Sequence, residues 1–286
     1  MSGIRRCSKE NMKPKKACFT CLREQALRSL GRASGDPEHV KLIKKKTALA
    51  ISSASSGDNP PLIATGIFLA VNELTGNPDP YLPLKKKYNE IVRDEIKKIH
   101  IKDIMSAAKH AINGNIIDFG IADSVELDVS DDFPLAIDDS KNFLAAIASS
   151  KKILYLCDNA GEIGFDRVLM DRILESNPAV RITAVVKSGA IINDATVEDA
   201  RYFGIDGICD IDAPAPLYVG TQMALLGDGF RSMFRAADAV ISKGQANWES
   251  LDGVKHPAIF YLLRAKCAVV AEHLGVPLGS AVLKQG

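Results

Sequence analysis

The sequence has no apolar run of roughly 18 residues, the length that a membrane-spanning helix requires. Its basic beginning, MSGIRRCSKENMKPKK, lacks the apolar core of a secretory signal peptide. Six cysteines in 286 residues are too few for a fold built on disulfides. These absences predict a cytoplasmic protein with no membrane partner.

Neither sign of charge dominates the chain. Lys and Arg number 36 against 35 Asp and Glu, which gives a formal net charge of +1. Proteins that bind nucleic acid usually show a basic excess, so this balance predicts no nucleic-acid partner. Hydrophobic residues make up 47% of the chain and charged residues 25%, an ordinary globular mixture. Assembly into a homo-oligomer is compatible with these totals.

The hydrophobic pattern divides the chain into two parts. Residues 12–125 place apolar residues three and four apart, which is typical of amphipathic helices. Residues 126–286 alternate short β-branched or apolar runs with helical ones, which predicts a parallel sheet with helices on both faces. We therefore predict an α/β protein with a flexible extension (1–11), a helical N-terminal domain (12–125) and a Rossmann-like α/β domain (126–286). The acidic segment 125–140 is the predicted linker.

Five strands are predicted in the second part, the last from an apolar run that would also suit a helix. They are 152–157, 181–186, 207–211, 238–243 and 258–265. Ligands of a parallel sheet bind beyond the carboxyl ends of its strands, so polar residues there are candidate site residues. The motifs GxGxxG and GxxxxGK[ST] are absent, which argues against a dinucleotide site and a P-loop.

Polar residues follow the first two of these strands directly. Asp158 and Asn159 come after strand 152–157, and their carboxylate and amide oxygens suit Mg²⁺ or Mn²⁺. Gly161 lets the backbone turn, and the next helix aims its N–H groups at the same place. Asp194 follows the second strand and could supply another carboxylate. The alternative is that Asp158 and Asp194 are ordinary helix caps.

Two further strings are candidates for binding a substrate. The fourth strand ends at Lys243, followed by Gly244 and a helix that contains Asn247, an arrangement that suits a phosphate. The alternative is a lysine that reaches solvent from a loop. Asn115 and Asp118 lie in GNIIDFG, a polar place that either faces the cleft or ends a helix.

Cys18 and Cys21 form a CxxC pair in the string CFTC. Such a pair can supply half of a zinc site or cycle as a dithiol, or it can be two thiols at the start of a helix. A structural zinc site needs about four ligands, and the sequence has no second CxxC. We expect this pair to be structural or regulatory, and Cys157, Cys209 and Cys267 to be small buried hydrophobes.

Together these strings resemble a known family, the metal-dependent damage-control phosphatases. This ARMT-like family was first catalogued as domain of unknown function 89, and the CFTC string indicates its stand-alone prokaryotic, especially archaeal, branch. The resemblance covers the chain from Met12 onward. The matching strings are CDNAGE (157–162), INDAT (192–196), SKGQANWES (242–250), GNIIDFG (114–120) and CFTC with Gln25.

The resemblance implies a phosphatase that acts on small phosphorylated metabolites, such as sugar phosphates or phosphopantetheine-type compounds. It matches Asp158, Asn159 and Asp194 to the ligands of a divalent metal (Mg, Mn, Co or Ni), and Lys243 to a residue that contacts the phosphate. The predicted catalytic residues are therefore Asp158, Asp194 and Lys243. The predicted substrate-binding residues are Lys243, Gly244, Asn247, Gly161, Glu162, Asn115 and Asp118.

Three questions stay open at the level of the sequence. The nucleophile is either a water activated at the metal or the carboxylate of Asp158. A regulator that binds a phosphorylated metabolite without turnover would use the same residues. A phosphoryl or nucleotidyl transferase would differ only in its acceptor.

Overall fold

A computed structural model describes residues 12–55, 57–115 and 130–286. The predicted flexible extension over residues 1–11 lies outside the described residues, and so does Asp118.

Five helices occupy the described residues up to 115. They are α1 (Lys16–Ala33), α2 (Pro37–Ser52), α3 (Pro60–Thr75), α4 (Leu82–Ile96) and α5 (Ile104–Gly114). The side chains of Asp36, Asn59 and Asp103 accept hydrogen bonds from backbone N–H groups of the first turn and so cap three of these helices. Gly76, at φ 65°, ends α3 in the left-handed conformation that a glycine adopts without strain.

The remaining described residues form seven strands and six α-helices, with a short 3-10 turn at Ile205–Gly207. The strands are β1 (Leu135–Asp138), β2 (Lys152–Leu156), β3 (Arg181–Val185), β4 (Asp210–Asp212), β5 (Ala239–Lys243), β6 (Ile259–Arg264) and β7 (Ala281–Gln285). The helices are α6 (Ser140–Ser149), α7 (Glu162–Ser176), α8 (Val197–Tyr202), α9 (Asp228–Ala236), α10 (Gln245–Leu251) and α11 (Ala268–Leu274).

All seven strands belong to one sheet, in the order β1-β7-β6-β5-β2-β3-β4. The chain builds outward from β2 to β3 and β4, and then returns to the other side of β2 to add β5 and β6. This reversal between β2 and β5 is the topological switch point at which open α/β sheets bind ligands. The α/β prediction is confirmed, and the switch point lies beside the string that begins at Asp158.

The sheet is mixed, whereas the sequence predicted a parallel one. Strands β2 to β6 are all parallel to one another. Strand β7 is antiparallel to β6, and β1 is parallel to β7. The predicted linker 125–140 was therefore wrong in part, because residues 135–138 form β1. As an edge strand, β1 alternates half-buried and exposed residues, and its apolar run is only three residues long, at 135–137.

The core lies on both faces of the sheet. Along β2, Ile153 and Tyr155 join the cluster under α5, α6 and α7, while Leu154 and Leu156 join the cluster under α9, α10 and α11. Helix α5 packs against α7 and β6, and α3 packs against α10. The helical part thus lies directly against the carboxyl ends of the strands, while the division into two domains stays a prediction. No described helix combines the length and the apolar character needed to cross a membrane.

Candidate active site

The loops after β2 and β3 are hydrogen-bonded to each other, and this pairing brings Asp158 and Asp194 together. The N–H of Ala195 donates to the carbonyl of Asp158 at 2.8 Å, and the N–H of Ala160 donates to the carbonyl of Asn193 at 2.8 Å. Both acids are buried, with 7% of Asp158 and 5% of Asp194 exposed. The neighbouring positions of β2 and β3 in the sheet therefore place two carboxylates at one point of its edge.

Asn159 is held in a fixed orientation between these acids. Its Oδ1 accepts a hydrogen bond from Nδ2 of Asn193 at 2.9 Å. Its Nδ2 donates to Oδ2 of Asp158 at 2.8 Å and to Oε2 of Glu162 at 2.9 Å. The side-chain oxygens of Asp158 and Asn159 are thus ordered by protein contacts alone, which is the preorganisation that a binding site needs.

Asn115 ends a helix, which is one of the two accounts that the sequence left open, and its place in a substrate cleft stays a prediction. It caps the C-terminus of α5, and its Nδ2 donates to Oδ2 of Asp158 at 2.8 Å and to Oε2 of Glu162 at 2.9 Å. Asn115 and Asn159 therefore bridge the same two carboxylate oxygens. Two amide donors between like charges reduce the repulsion that would otherwise separate them.

Gly244 makes room for the carboxylate of Asp158. It has φ 78°, and a Cβ added there would lie 1.9 Å from Oδ2 of Asp158. Its N–H donates to the carbonyl of Leu262 at 3.0 Å, and the N–H of Gly161 donates to Oδ1 of Asn89 at 2.7 Å. In the structure these two glycines shape the edge of the sheet, and their own N–H groups contact protein oxygens.

The sequence led us to expect the side chain of Lys243 at this edge of the sheet, but the structure does not place it there. It is fully buried, and its Nζ donates to the carbonyl of Ala111 at 2.8 Å, to Oε1 of Glu162 at 2.7 Å and to Oδ1 of Asp166 at 2.5 Å. An ammonium group has three N–H donors, and these three contacts use them all. A phosphate contact by Lys243 stays a prediction, and it would require one of these bonds to be exchanged.

Burial and charge act in opposite directions on this lysine and its partners. Although burial alone would lower the pKa of Lys243, the carboxylates of Asp166 and Glu162 raise it, so the ammonium is charged. Burial raises the pKa of Asp166 to about 6, helped by the nearby Glu162 and opposed by Lys243. The hydroxyl of Tyr155 also donates to Oδ1 of Asp166 at 2.8 Å. This buried network fixes Glu162, which in turn contacts Asn115 and Asn159.

Asn247 contacts the backbone of the strands that end at the site. Its Nδ2 donates to the carbonyls of Cys157 and Lys243, at 3.0 and 2.8 Å, and its Oδ1 accepts from the hydroxyl of Thr221 at 2.8 Å. In this structure Asn247 thus joins the ends of β2 and β5. Its predicted role in binding a substrate stays a prediction.

A cavity of about 190 Å³ opens beside Asp158 and Asp194. Its wall is mostly apolar and comes from α1, α3, α10 and α11, together with the loops after β2 and β3. Besides the residues of the two loops, the polar side chains and thiols that line it are Cys18, Cys21, Gln25, Gln245, Glu249 and Cys267. Sequence reasoning missed Gln245, Glu249 and Cys267 as site residues. The available signal was the spacing of Gln245 and Glu249, which are four apart on α10 immediately after Gly244.

Burial favours the protonated form of the three thiols in this wall. Burial raises the pKa of Cys18 and Cys267, and raises that of Cys21 to about 11. A protonated thiol is a poor nucleophile, which agrees with the expectation that Cys18 and Cys21 take no direct part in the chemistry. Of the cysteines expected to be buried, Cys157 is, whereas Cys209 and Cys267 are only half-buried.

The charges of the site suit a divalent cation. Four buried carboxylates, one buried ammonium group and the half-buried ammonium group of Lys187 form the charged cluster: Asp158, Glu162, Asp166, Asp194, Lys187 and Lys243. When all are ionised, two negative charges remain, and one divalent cation would offset them. The described residues contain no group of three or more His, Cys, Asp or Glu arranged to hold a metal. The predicted ligands, Asp158, Asn159 and Asp194, are not such a group, because one of the three is an amide. Their carboxylate and amide oxygens are hard donors that fit a divalent ion.

Comparison with known proteins identifies the family of the chain. The model of the damage-control phosphatase ARMT1-like domain matches residues 15–282. The chain belongs to this family. The match includes every predicted site residue, from Asn115 to Asn247, and confirms the resemblance inferred from the sequence.

Archaeal relatives match over most of their length. A damage-control phosphatase of Pyrococcus horikoshii is 36% identical over 282 residues, which cover 95% of this chain and 97% of that protein. A damage-control phosphatase of Archaeoglobus fulgidus is 36% identical over 237 residues, 78% of this chain and 81% of that protein. The crystal structure of a DUF89 family protein from Pyrococcus horikoshii superimposes with a TM-score of 0.89 at 33% identity, covering 96% of this chain and 99% of that one.

Proposed function

We propose that this damage-control phosphatase hydrolyses phosphate monoesters of small metabolites, sugar phosphates or related compounds, with a divalent metal ion. The observation that carries the proposal is the hydrogen-bonded pairing of two loops that presents Asp158 and Asp194 to one cavity. Membership of the family supports the phosphatase activity. The two carboxylates and the amide oxygen of Asn159 support the metal.

In this proposal Asp158, Asn159 and Asp194 hold the metal, which is Mg²⁺, Mn²⁺, Co²⁺ or Ni²⁺. When bound, the metal would neutralise charge on the phosphoryl oxygens and lower the pKa of a water molecule. Asn115 and Asn159 orient the carboxylate of Asp158 by donating to its Oδ2. Lys243 holds Glu162, which accepts from both of these amides. The mostly apolar wall of the cavity limits the access of bulk water to the phosphate.

Metal removal tests the proposed function. We expect hydrolysis of p-nitrophenyl phosphate to require an added divalent ion, to stop with EDTA and to return when Mg²⁺, Mn²⁺, Co²⁺ or Ni²⁺ is supplied in excess. Release of inorganic phosphate into water, with no other acceptor present, would exclude a transferase. Binding of phosphorylated metabolites without any release across all four metals would instead support a regulator.

The charges of the cavity predict discrimination against a second phosphate. Among the described residues, the charged side chains that line it are all acidic, namely Asp158, Asp194 and Glu249. A metal at the first two would offset their charge, whereas the carboxylate of Glu249, which lines the same cavity, would repel a second phosphate. A like-charge contact at about 4 Å costs on the order of 1 kcal/mol in water and more in a partly buried site. We therefore expect kcat/KM to be at least about tenfold lower for glucose 1,6-bisphosphate than for glucose 1-phosphate.

The variant Glu249→Gln provides the matched comparison for this prediction. It keeps the size and the polarity of the side chain and removes only the charge. We expect this variant to reduce the difference in kcat/KM between glucose 1-phosphate and glucose 1,6-bisphosphate. The kcat for p-nitrophenyl phosphate should change little. Equal kcat/KM values for both sugar phosphates in the wild type would contradict the prediction.

A further inference from the structure

Two buried side chains of α4 contact residues next to the loops that carry the proposed metal ligands, although α4 contributes no predicted site residue. They are Lys85 and Asn89, one turn apart, with 3% and 4% of each residue exposed. Buried polar groups of this kind are costly unless they are satisfied, so their partners indicate what they do.

The two ends of the Asn89 amide contact the turn after β2 and the first turn of α8. Its Oδ1 accepts from the N–H of Gly161 at 2.7 Å, in the turn that follows Asp158 and Asn159. Its Nδ2 donates to Oδ1 of Asp199 at 2.8 Å, at the start of α8. Gly161 has φ 76°, so the contact holds a turn in the left-handed region of backbone conformation.

Asp199 transmits this contact to the loop after β3. Its Oδ2 accepts from the N–H and the hydroxyl of Thr196, at 2.9 and 2.8 Å, in a capping box two residues after Asp194. Nζ of Lys85 lies 3.2 Å from Oδ2 of Asp199 and offsets its charge. Asn89 therefore connects the turn at Gly161 with Asp199 and, through Asp199, with the loop that carries Asp194.

Close packing prevents α4 from moving relative to this point. A Cβ added at Gly164, in the first turn of α7, would lie 2.8 Å from Cγ1 of Val92 on α4 and 2.5 Å from Cε1 of Phe203. The distance between α4 and α7 is thus set by direct contact, one turn beyond Asn89. This packing consequently fixes the position of Asn89 relative to Gly161, whose N–H donates to its Oδ1.

We propose that Asn89 is a positioning residue, which sets the spacing between the Asp158 and Asp194 loops by holding Gly161 and Asp199 at once. The proposal rests on the proposed metal-dependent phosphatase. An amide is required because the site needs an acceptor and a donor from one side chain. Alanine supplies neither, and aspartate would keep the acceptor but present a second carboxylate to Asp199. Partners that orient metal ligands typically change metal affinity or activity by about 10–100-fold when they are lost.

The test compares Asn89→Ala and Asn89→Asp with the control Asn177→Ala. Asn177 also donates two side-chain hydrogen bonds, to the carbonyls of Ile147 and Ser150, but at the far end of α7. For each protein we would measure Mn²⁺ binding by calorimetry, kcat and KM for p-nitrophenyl phosphate, Tm, and hydrogen exchange of the Gly161 amide without metal. We expect both Asn89 variants to bind Mn²⁺ at least about tenfold more weakly and to lose kcat more than KM. We expect faster exchange at Gly161 in Asn89→Ala, and wild-type metal affinity in Asn177→Ala.

A folded Asn89→Ala protein with wild-type Mn²⁺ affinity and kcat would overturn the proposal, even if its Tm fell. If Asn89→Ala does not fold, Asp199→Ala removes the acceptor of the Asn89 amide and is read in the same way. If the wild type neither binds Mn²⁺ nor hydrolyses the ester, the proposed function has failed. In that case wild-type exchange at Gly161 in Asn89→Ala would still overturn the positioning role, and faster exchange would support it.

Discussion

Asp158→Ala and Asp194→Ala should each reduce metal-stimulated phosphate hydrolysis by at least about a hundredfold while leaving the protein folded. Loss of one fixed group that stabilises charge in a transition state commonly costs 10²–10³-fold in rate. Both side chains lie at the meeting point of two loops whose backbone hydrogen bonds do not involve the carboxylates. Removing either one should therefore leave the pairing of the loops intact.

The folded state should tolerate Asp158→Ala for a specific reason. The two amides that donate to Oδ2 of Asp158, those of Asn115 and Asn159, also donate to Oε2 of Glu162 and so keep an acceptor. The substitution also removes one charge from a cluster with an excess of carboxylates. We expect the metal-free Tm to stay close to that of the wild type or to rise.

Thermal unfolding with and without Mn²⁺ separates a metal ligand from a general structural role. A ligand that binds only the native state raises its stability by RT ln(1 + [L]/Kd). We expect Mn²⁺ to raise the Tm of the wild type but not that of Asp158→Ala or Asp194→Ala. The control is Asp171→Ala, which removes a partly exposed acid paired with Arg167 on α7. Full activity with retained Mn²⁺ binding in either site variant would refute the ligand assignment.

The position of the two acids was predictable because it depends on backbone topology. Asp158 and Asp194 follow strands that the hydrophobic pattern identifies, and sequential strands joined by a helix usually lie side by side. The sheet places β2 beside β3, and the loops that follow them pair. By contrast, β1 and β7 were missed, because each has only three consecutive apolar residues before polar ones, at 135–137 in the edge strand β1 and at 281–283 in β7, which lies between β1 and β6.

The direction of Lys243 was not predictable from its own strand. A lysine at the end of a buried strand usually reaches solvent, but here α7 places two acids, Glu162 and Asp166, one turn apart on its buried face. Two buried acids at this spacing, on a helix face that is otherwise apolar, imply a buried cation, and this was the missed signal. The cavity wall was missed for another reason, since Cys21, Glu249 and Cys267 meet only through tertiary packing.

The buried position of Lys243 changes what its removal should do. Lys243→Met should destabilise the protein by about 3–5 kcal/mol, because taking one partner from a buried ion pair leaves an uncompensated charge. Here two carboxylates, Glu162 and Asp166, would lose their cation. Activity should fall as well, since Glu162 would no longer be fixed against Asn115 and Asn159. Denaturant unfolding at neutral pH and kcat/KM for p-nitrophenyl phosphate measure the two effects.

The pH dependence of Lys243→Met follows from the pKa of Asp166. That pKa is already raised to about 6 beside the lysine, chiefly by burial, and loss of the ammonium removes the group that opposes the rise. The native state of the variant then binds a proton that the unfolded chain, with an ordinary carboxyl pKa, releases. Stability must therefore rise as pH falls from 8 toward 6, and it must decrease in the other direction. The variant should thus recover part of its lost stability, relative to the wild type, in mildly acidic solution.

The double variant Lys243→Met/Asp166→Asn separates support of the site from contact with a phosphate. The added amide removes one of the two uncompensated charges and keeps an acceptor for the hydroxyl of Tyr155, so unfolding stability should largely return. If Lys243 acts by fixing Glu162, part of the lost kcat/KM should return together with the stability. We expect this result because all three N–H donors of Lys243 already contact protein oxygens. If stability returns while kcat/KM stays about a hundredfold low, the ammonium contributes directly to transition-state stabilisation. In that case one of its three bonds must be exchanged for a phosphate oxygen when a substrate binds.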